Sequence, residues 1–415
     1  MRFVYNIGVR LYWLAAWIAA RWNPKARKWI GGRKGWYEKL RSKIGTGERV
    51  IWFHCASLGE FEQGRPLMEE TRKRFPAHKI LLTFFSPSGY EKRKSYEHAD
   101  LVMYLPLDTA GNARRITGAM KLDMVIFIKY EFWYHILHML SKQGTPLFLA
   151  SGIFRSRQLF FRWYGTWYRK FLACFTHIYV QQEDSRSLLM NIGINRVSVA
   201  GDTRFDRVCQ VAVTPYHHSV LERLTSGKTT IVAGSTWERD EQLLAEVSLE
   251  LSEKICWIIA PHELSEVHLS RILKRFPGSV LFSELGEETP DDTCVIIIDT
   301  IGLLSFLYRF GTLAYVGGGF GKGIHNILEA AVYGIPVIFG PVHQKFTEAV
   351  ELVEKGGAFA VLDKGGLLST IHQQLNQKKL LKASSEIAGN YVQKRVGATS
   401  LVMEGVCKKS GLNML

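Results

Sequence analysis

The sequence lacks the cysteine and histidine patterns of a metal site. Its six cysteines are scattered over 415 residues without any Cys-x-x-Cys pair, which argues against zinc binding and against a disulfide framework. The histidines, among them His54, His217 and His218, show no metal-ligand spacing either. We therefore expect no bound metal and no cofactor of that kind, in a protein of a reducing, cytosolic compartment.

Two common nucleotide-binding motifs are missing as well. The glycine-rich segment 317–323 is not followed by the Gly-Lys-Ser/Thr of a Walker loop. The segment also lacks the Gly-x-Gly-x-x-Gly pattern with a downstream acid that enzymes of hydride transfer use for dinucleotides. These absences exclude the two commonest phosphate-binding classes and leave other nucleotide ligands open.

Acidic residues are scarce in the first fifty positions, which hold twelve basic residues against Glu38 and Glu48. This stretch carries two thirds of the formal net charge of +15. Its basic residues flank a hydrophobic segment over 3–22, FVYNIGVRLYWLAAWIAARW, which Arg10 interrupts. Such a segment suits an interfacial or shallowly inserted helix, and no signal-peptide cleavage site stands out.

The charge distribution also predicts which partners this segment meets. A basic flank after a membrane anchor stays on the cytoplasmic side by the positive-inside rule. A basic segment could also bind nucleic acid, but here the cations surround an apolar stretch, so we expect no nucleic-acid partner. The remaining alternative is a buried core helix of a soluble protein, although core helices seldom carry so many flanking cations.

The rest of the chain alternates short apolar runs with amphipathic segments, which is typical of parallel α/β sheets. The pattern lapses around residues 211–220, a plausible linker, and a chain of this length suggests two domains of roughly 200 residues. The expected fold is therefore two Rossmann-like halves, with small-molecule chemistry in a cleft between them. The apolar runs lie at 50–53, 79–86, 101–106, 124–130, 145–151 and 176–182, and then at 229–235, 255–262, 293–299, 312–318 and 335–341.

Residues 52–66, WFHCASLGEFEQGRP, place a carboxylate where one of these strands becomes a helix. A buried strand over 50–53 runs into Gly59, and a helical pattern with Leu67 and Met68 follows. Ligands of open α/β sheets collect at the carboxyl ends of strands, so Glu60 is well placed for chemistry. It could equally be a first-turn acid that complements the helix dipole.

The segment 155–175, RSRQLFFRWYGTWYRKFLACF, interleaves basic and aromatic residues. Such a face could lie against anionic lipid or bind phosphates of a substrate. The alternative is an ordinary helix packed on the sheet, with Arg155, Arg157, Arg162 and Arg169 in water.

The densest signal is YVGGGFGKGIHNILEAAVYGIPVIFGP, residues 315–341. A strand ends in glycines, and a helix is predicted to begin near Asn326 with Glu329 in its first turn. Glycines let backbone N–H groups approach a phosphate, and a helix N-terminus favours negative charge. Glu329 is then placed to accept hydrogen bonds from a ribose.

Several ordered motifs resemble the 3-deoxy-D-manno-octulosonic acid (Kdo) transferases of lipopolysaccharide synthesis. The similarity extends over nearly the whole chain and implies the GT-B fold, two Rossmann-like domains facing across a cleft. It further implies transfer of Kdo from CMP-Kdo to a disaccharide lipid A precursor, with inversion, at the cytoplasmic face of the inner membrane. The motifs are HCASLGE, PLD, YEFWY, GDTRFD, AGSTWERDE, APHE, DTIGLLSFLY and the segment 315–341.

The resemblance also implies a domain plan and a set of site residues. Glu60 matches the general base, while Glu131 and Arg204 match positions that steady the transition state. Residues 1–35 would be the membrane-associated segment, 36–212 the acceptor domain and 213–390 the CMP-sugar domain. A tail over 391–415 could pack back on the N-terminal domain. The positions that match donor-binding residues are Pro261, His262, Ile301, Gly302, Leu303, Asn326, Ile327, Leu328 and Glu329.

The chain departs from the family pattern at several of these positions. The family usually has Lys at 204, often an arginine at 261 of a Pro-Arg-His motif, and an acid at 303. Gly-Gly-His-Asn is replaced by Gly323, Ile324, His325 and Asn326. These changes concern the nucleotide contacts rather than the class of donor.

Alternatives stay open for single residues and for the function. Glu131 could be a buried acid paired with a cation, and His325 a residue that only begins a helix. A membrane-associated GT-B transferase that uses a UDP-sugar is the second functional hypothesis. A catalytically silent nucleotide-sugar binding protein is the third.

Overall fold

The computed structural model describes residues 1–251 and 255–412. The chain folds into two compact units. Unit 1 consists of Met1–Arg207 together with Val396–Leu415, and unit 2 consists of Val208–Arg395.

Unit 1 is built on a sheet of seven parallel strands in the order β3-β2-β1-β4-β5-β6-β7. Strand β1 lies between β2 and β4, so the direction of winding reverses there. In doubly wound sheets, ligands bind at the carboxyl ends of the strands at such a reversal. The strands are β1 Arg49–Cys55, β2 Lys79–Phe84, β3 Leu101–Tyr104, β4 Lys121–Ile128, β5 Leu147–Gly152, β6 His177–Val180 and β7 Val197–Val199.

Strand β1 shows why this sheet carries helices on both faces. Val50 and Trp52 belong to one hydrophobic cluster, and Ile51, Phe53 and Cys55 belong to another. Successive side chains of a strand point to opposite faces, so a continuous apolar run requires cover on both sides.

Helices cover both faces of the unit 1 sheet. The second cluster includes side chains of both α4 and α19, and these two helices pack on each other. The Thr71 hydroxyl of α4 donates to the Met403 sulfur of α19 at 3.6 Å. The C-terminal helix is therefore part of unit 1. The helices are α1 Arg2–Ala19, α2 Pro24–Gly31, α3 Trp36–Lys43, α4 Leu58–Arg74, α5 Pro87–Arg93, α6 Ala110–Gly118, α7 Tyr134–Lys142, α8 Thr166–Leu172, α9 Glu183–Met190, α10 Thr203–Val213, which runs on into unit 2, and α19 Ala398–Ser410.

Unit 2 repeats the plan with the strand order β10-β11-β9-β8-β12-β13-β14, all pairs parallel. Its reversal point is the carboxyl end of β8. The strands are β8 Thr229–Thr236, β9 Ile255–Pro261, β10 Val280–Leu281, β11 Val295–Ile297, β12 Leu313–Val316, β13 Val337–Phe339 and β14 Ala358–Ala360. The helices are α11 Ser219–Thr225, α12 Glu238–Glu250, α13 Glu266–Arg275, α14 Leu304–Leu307, α15 Leu328–Ala331, α16 Thr347–Lys355, α17 Lys364–Asn376 and α18 Lys378–Gln393.

The N-terminal helix α1 lies on the surface of unit 1. None of its residues is fully buried, so the alternative of a buried core helix is wrong. The hydroxyl of Tyr5 holds it in place by donating to the buried carboxylate of Asp108 at 2.6 Å. Over residues 1–251 and 255–412, no helix combines the length and apolarity that crossing a membrane requires.

The sequence patterns predicted two parallel α/β halves, and both are confirmed. Every predicted apolar run overlaps a strand. Strands β7, β10 and β14, each two or three residues long, were not predicted.

Candidate active site

Glu60 lies at the reversal point of the unit 1 sheet. Strand β1 ends at Cys55, Ser57 is the N-cap of α4, and Glu60 is in the first turn of that helix. Its carboxylate accepts a hydrogen bond from the backbone N–H of Ala56, the residue before the N-cap. Gly64, one turn further, lets α4 approach the sheet, since a Cβ there would lie 3.0 Å from Ile128.

The surroundings of Glu60 disfavour its charged form. Burial raises the pKa of this carboxyl to about 8, and the negative charge of Glu131 acts in the same direction. The backbone N–H groups of Ala56 and Ser57 and the charge of Lys129 oppose the rise. Only 9% of Glu60 is exposed. A carboxylate with a pKa near the working pH is suited to take a proton from a hydroxyl, so Glu60 can act as a base as well as a helix cap.

Glu131 is held in a second polar cluster next to Glu60. Its Oε2 atom accepts a hydrogen bond from the indole N–H of Trp133 at 2.7 Å and lies 3.1 Å from Nε2 of His54. His54 is fully buried at the end of β1, whereas Glu131 follows β4 and keeps some exposure. Both contacts are made by the same carboxylate oxygen, Oε2 of Glu131.

Thr83 of β2 contacts the other side of the His54 ring. Nδ1 of His54 lies 2.9 Å from the hydroxyl oxygen of Thr83 and 3.1 Å from its carbonyl oxygen. The indole N–H of Trp133 donates to Nε2 at 3.2 Å. These contacts fix the orientation of the ring beside Glu131.

Two cations belong to the same region of unit 1. Lys129 follows β4 in the left-handed backbone region, with φ at 70°, a conformation that costs roughly 1–3 kcal/mol for a residue other than glycine. Arg204, at the start of α10, donates through Nε to Asp202 at 2.8 Å. Burial raises the pKa of Tyr130, and the charges of both Glu60 and Arg204 contribute to that pKa. Glu131 and Lys129 thus act electrostatically on Glu60, and Glu60 and Arg204 both act on Tyr130.

In unit 2, a stack of three rings lies at the carboxyl ends of β8, β9 and β12. The Trp237 and His262 rings are 4.5 Å apart, as are those of His262 and His325. The indole N–H of Trp237 donates to Nε2 of His325 at 3.1 Å. Burial lowers the pKa of His325 to about 4, so this ring is neutral near pH 7.

The glycines of 317–323 serve close backbone packing rather than a free phosphate cradle. A Cβ on Gly317 would lie 2.4 Å from the Ser235 carbonyl oxygen, and one on Gly319 would lie 2.5 Å from the Gly340 nitrogen. The N–H groups of Gly317, Gly318, Gly321 and Gly323 all donate within the protein. The prediction that backbone N–H groups of this segment bind a phosphate is therefore wrong for these four glycines, whose N–H groups already donate to protein oxygens.

Asp240 is the residue that organises this loop. Its buried carboxylate accepts from the Tyr315 hydroxyl at 2.7 Å and from the N–H groups of Gly318 and Trp237, each at 2.9 Å. One first-turn acid of α12 thereby fixes the glycine segment and the ring stack together.

The residues matched to donor binding fall into three places of unit 2. Pro261 ends β9, and the N–H of His262 donates to the Thr236 carbonyl at 2.9 Å. Residues 301–303 form an exposed turn in which Gly302 has a φ of 93°. The side chains of Ile327 and Leu328 are buried, so only their backbone could meet a donor.

The third place is the entry to α15. The amide of Asn326 donates to the carboxylate of Glu329 at 3.0 Å, and its oxygen accepts from the N–H of Leu328 at 3.3 Å. Helix α15 begins at Leu328, two residues after the predicted start, with Glu329 in its first turn as predicted.

Sequence reasoning missed several residues of these clusters. His54, Lys129 and Trp133 lie inside or next to the motifs HCASLGE and YEFWY, but their contacts join positions up to 79 residues apart. Nothing in the spacing of single residues signals such pairs. Trp237 and Asp240 similarly lie within AGSTWERDE and were not singled out.

A family model described as 3-deoxy-D-manno-octulosonic-acid transferase (kdotransferase) matches residues 29–207. The 3-deoxy-D-manno-octulosonic acid transferase of Aquifex aeolicus (strain VF5) is 29% identical over 356 residues, which is 83% of this chain and 92% of the relative. The enzyme of the same name from Bordetella pertussis is 25% identical and covers 98% of both chains. Among solved structures, the UDP-GlcNAc 2-epimerase from Neisseria meningitidis bound to UDP-GlcNAc has a TM-score of 0.59 at 17% identity, over 87% of this chain and all of that one, and shows the fold alone.

Proposed function

Because the chain belongs to the Kdo transferase family, we propose that it transfers Kdo from CMP-Kdo to a hydroxyl of a disaccharide lipid A precursor, with inversion. The protein is a glycosyltransferase of lipopolysaccharide synthesis. The GT-B class, in which both units serve one reaction, is part of this proposal, as are the site residues and the acceptor.

The observation that carries the proposed mechanism is the environment of Glu60. Attack by a sugar hydroxyl needs a base whose pKa lies near the working pH and that is not strongly hydrated. Glu60 is almost buried, at a strand end where ligands bind, with a pKa of about 8. Glu60 would take the proton, and the hydroxyl oxygen would form the bond to the anomeric carbon of Kdo as the bond to CMP breaks.

Charge stabilisation is the proposed role of Arg204 and Glu131. The departing CMP gains negative charge, and a fixed cation such as Arg204 offsets it in a water-poor site. Glu131 complements positive charge that develops on the sugar, and its hydrogen bonds to Trp133 and His54 keep it in position. No step of this scheme requires a metal ion.

Unit 2 is the proposed donor-binding part. Backbone groups of Pro261, His262 and the 301–303 turn would form hydrogen bonds with the edge of the cytosine base. Glu329 would accept hydrogen bonds from the ribose. Since four glycine amides are engaged within the protein, the phosphate would depend on other donors.

The proposal is tested by offering the purified full-length protein CMP-Kdo or UDP-sugars together with a disaccharide lipid A precursor. We expect the acceptor to gain the mass of one or more Kdo residues when CMP-Kdo is the donor, and no mass when a UDP-sugar is the donor. Mass gain with a UDP-sugar instead would favour the alternative GT-B transferase. Binding of CMP-Kdo without any turnover would favour a catalytically silent binding protein.

We also propose that α1 attaches the protein to the cytoplasmic face of the inner membrane. Its outer face exposes large apolar residues, including Phe3 (74% exposed) and Leu11 (59% exposed), next to the basic residues of α2. Apolar area gives an interfacial helix its affinity, and nearby cations add attraction to anionic lipids.

The double change Phe3→Glu with Leu11→Glu should therefore reduce binding to phosphatidylglycerol vesicles by roughly tenfold or more, as measured by cosedimentation. Point changes are preferable to deleting residues 1–22, because Tyr5 holds Asp108 in unit 1. Leu249→Glu in α12, where the leucine is 82% exposed, is the control and should bind as the wild type does. Equal binding by all three proteins would rule out α1 as the attachment.

A further inference from the structure

An open cavity of about 320 Å³ lies in unit 1 beside Glu131. Its size falls within the range of about 300–1,000 Å³ that small-molecule pockets occupy. Three segments meet in its wall: α1, the connection from β4 to α7, and the aromatic segment that includes α8. The residues that matter here are Tyr5, Glu131, Trp133, Phe160, Tyr168 and Phe171.

The wall is mainly aromatic, and Glu131 is the one charged residue among the described residues that line it. The hydroxyl of Tyr5 donates to Asp108 and accepts from the N–H of Tyr134, so it is already engaged. The indole N–H of Trp133 donates to Glu131 and His54. A sugar placed here would lose hydrogen bonds to water that these groups cannot replace. A hydrocarbon chain would lose none and would gain from leaving water.

Exposed apolar residues adjoin two of the three segments of the wall. Phe3 and Val4 precede Tyr5 on α1, and Leu159 and Trp163 flank Phe160 in the chain; all four are exposed. Exposed apolar groups next to a pocket are expected where its ligand comes from a lipid surface. Glu131, the charged residue of the third segment, joins the cavity to the cluster that influences Glu60.

From these contacts we propose that this cavity binds one acyl chain of the acceptor, so that chain length helps to select the substrate. The inference rests on the proposed function, because it assigns the cavity to the lipid part of the same acceptor. A chain seated against Tyr168 and Phe171 would hold the sugar hydroxyl near Glu60 and Glu131. Acyl-chain preference would then be set within unit 1.

The test uses acceptors that dissolve as monomers, so that adsorption to micelles or membranes does not contribute. The disaccharide acceptor is prepared with two-carbon or with six-carbon acyl chains, and kcat/KM is measured with CMP-Kdo for the full-length protein. Burying each added methylene is worth about fourfold, or ~0.8 kcal/mol. For four methylenes we expect at least a tenfold preference of the wild type for the longer chain.

Tyr168→Gln should reduce this preference to less than threefold while leaving kcat/KM for the two-carbon acceptor within about twofold, because the wall becomes polar without gaining charge near Glu131. Tyr164→Gln is the matched control, since Tyr164 is 51% exposed and outside the wall of the cavity, and should keep the preference. Activity on the two-carbon acceptor shows that each variant is folded.

Three results would overturn the inference: equal kcat/KM of the wild type for both acceptors, a preference that survives Tyr168→Gln, or an equal loss in Tyr164→Gln. Failure of the wild type to transfer Kdo to any acceptor would instead overturn the proposed function, and the inference with it.

Discussion

Replacing Glu60 by glutamine is expected to lower kcat for Kdo transfer by roughly 10²- to 10⁴-fold, the usual contribution of a general base. The glutamine oxygen can still accept the N–H of Ala56, since an amide oxygen accepts a hydrogen bond as a carboxylate oxygen does. This contact is therefore kept while the proton acceptor is lost. Steady-state kinetics with CMP-Kdo and the lipid A precursor measure the effect, and CMP-Kdo binding should be nearly unchanged.

The matched control for this variant is Glu62→Gln in the same helix. Glu62 pairs with Arg93 at 2.8 Å, with the two side chains 35% and 36% exposed, so its loss should alter kcat less than twofold. Full activity of Glu60→Gln would show that Glu60 only caps α4. Equal losses in both variants would show that the charge of this helix, rather than a base, is what matters.

The pH profile of the wild type gives a second check on the same carboxyl. A base must be deprotonated, and burial with the charge of Glu131 raises the pKa of Glu60 to about 8. Below that value the active fraction falls, so kcat/KM should decrease about tenfold per pH unit from about 8 downwards. In Glu60→Gln the residual activity should lack this limb. A wild-type profile that stays flat from pH 6 to 9 would contradict the assignment.

The parts of the fold that the sequence predicted are those governed by local pattern. The runs 229–235 and 255–262 have continuous apolar centres because their strands are buried on both faces, and they overlap β8 and β9. The position of Glu60 in the first turn of α4 was readable for the same reason, since a strand, a Ser-Leu-Gly turn and a helical pattern follow in order.

The parts that escaped prediction depend on partners far away in the chain. The contact of His54 with Glu131 and the stacking of Trp237 on His262 and His325 arise only when strand ends meet at one edge of a sheet. The glycines near 318 illustrate the converse error. Glycine composition fits both a phosphate cradle and close packing, and only the occupied N–H groups and the nearby Gly340 backbone distinguish the two.

Arg204→Met should lower kcat by roughly 10²- to 10³-fold, comparable to the loss of one preorganised charge-stabilising group. Methionine keeps much of the volume and removes the charge that would stabilise departing CMP. Arg204→Lys should stay within about tenfold of the wild type, because it keeps the charge and loses only the fixed fork of donors. Kinetics with CMP-Kdo measure both, and Arg186→Met, which breaks a surface pair with Glu183, should alter kcat less than twofold.

The effect of Arg204→Met on folding stability must be distinguished from its effect on kcat, because Asp202 is buried and would lose its ion-pair partner. An unpaired buried charge can cost about 3–5 kcal/mol of folding free energy. The double variant Asp202→Asn with Arg204→Met removes that charge, while the asparagine oxygen can still accept the N–H of residue 204. We expect it to recover a wild-type melting temperature but not the activity. Recovery of both would mean that Arg204 serves only to neutralise Asp202, and the stabilisation of departing CMP would then have to come from another cation.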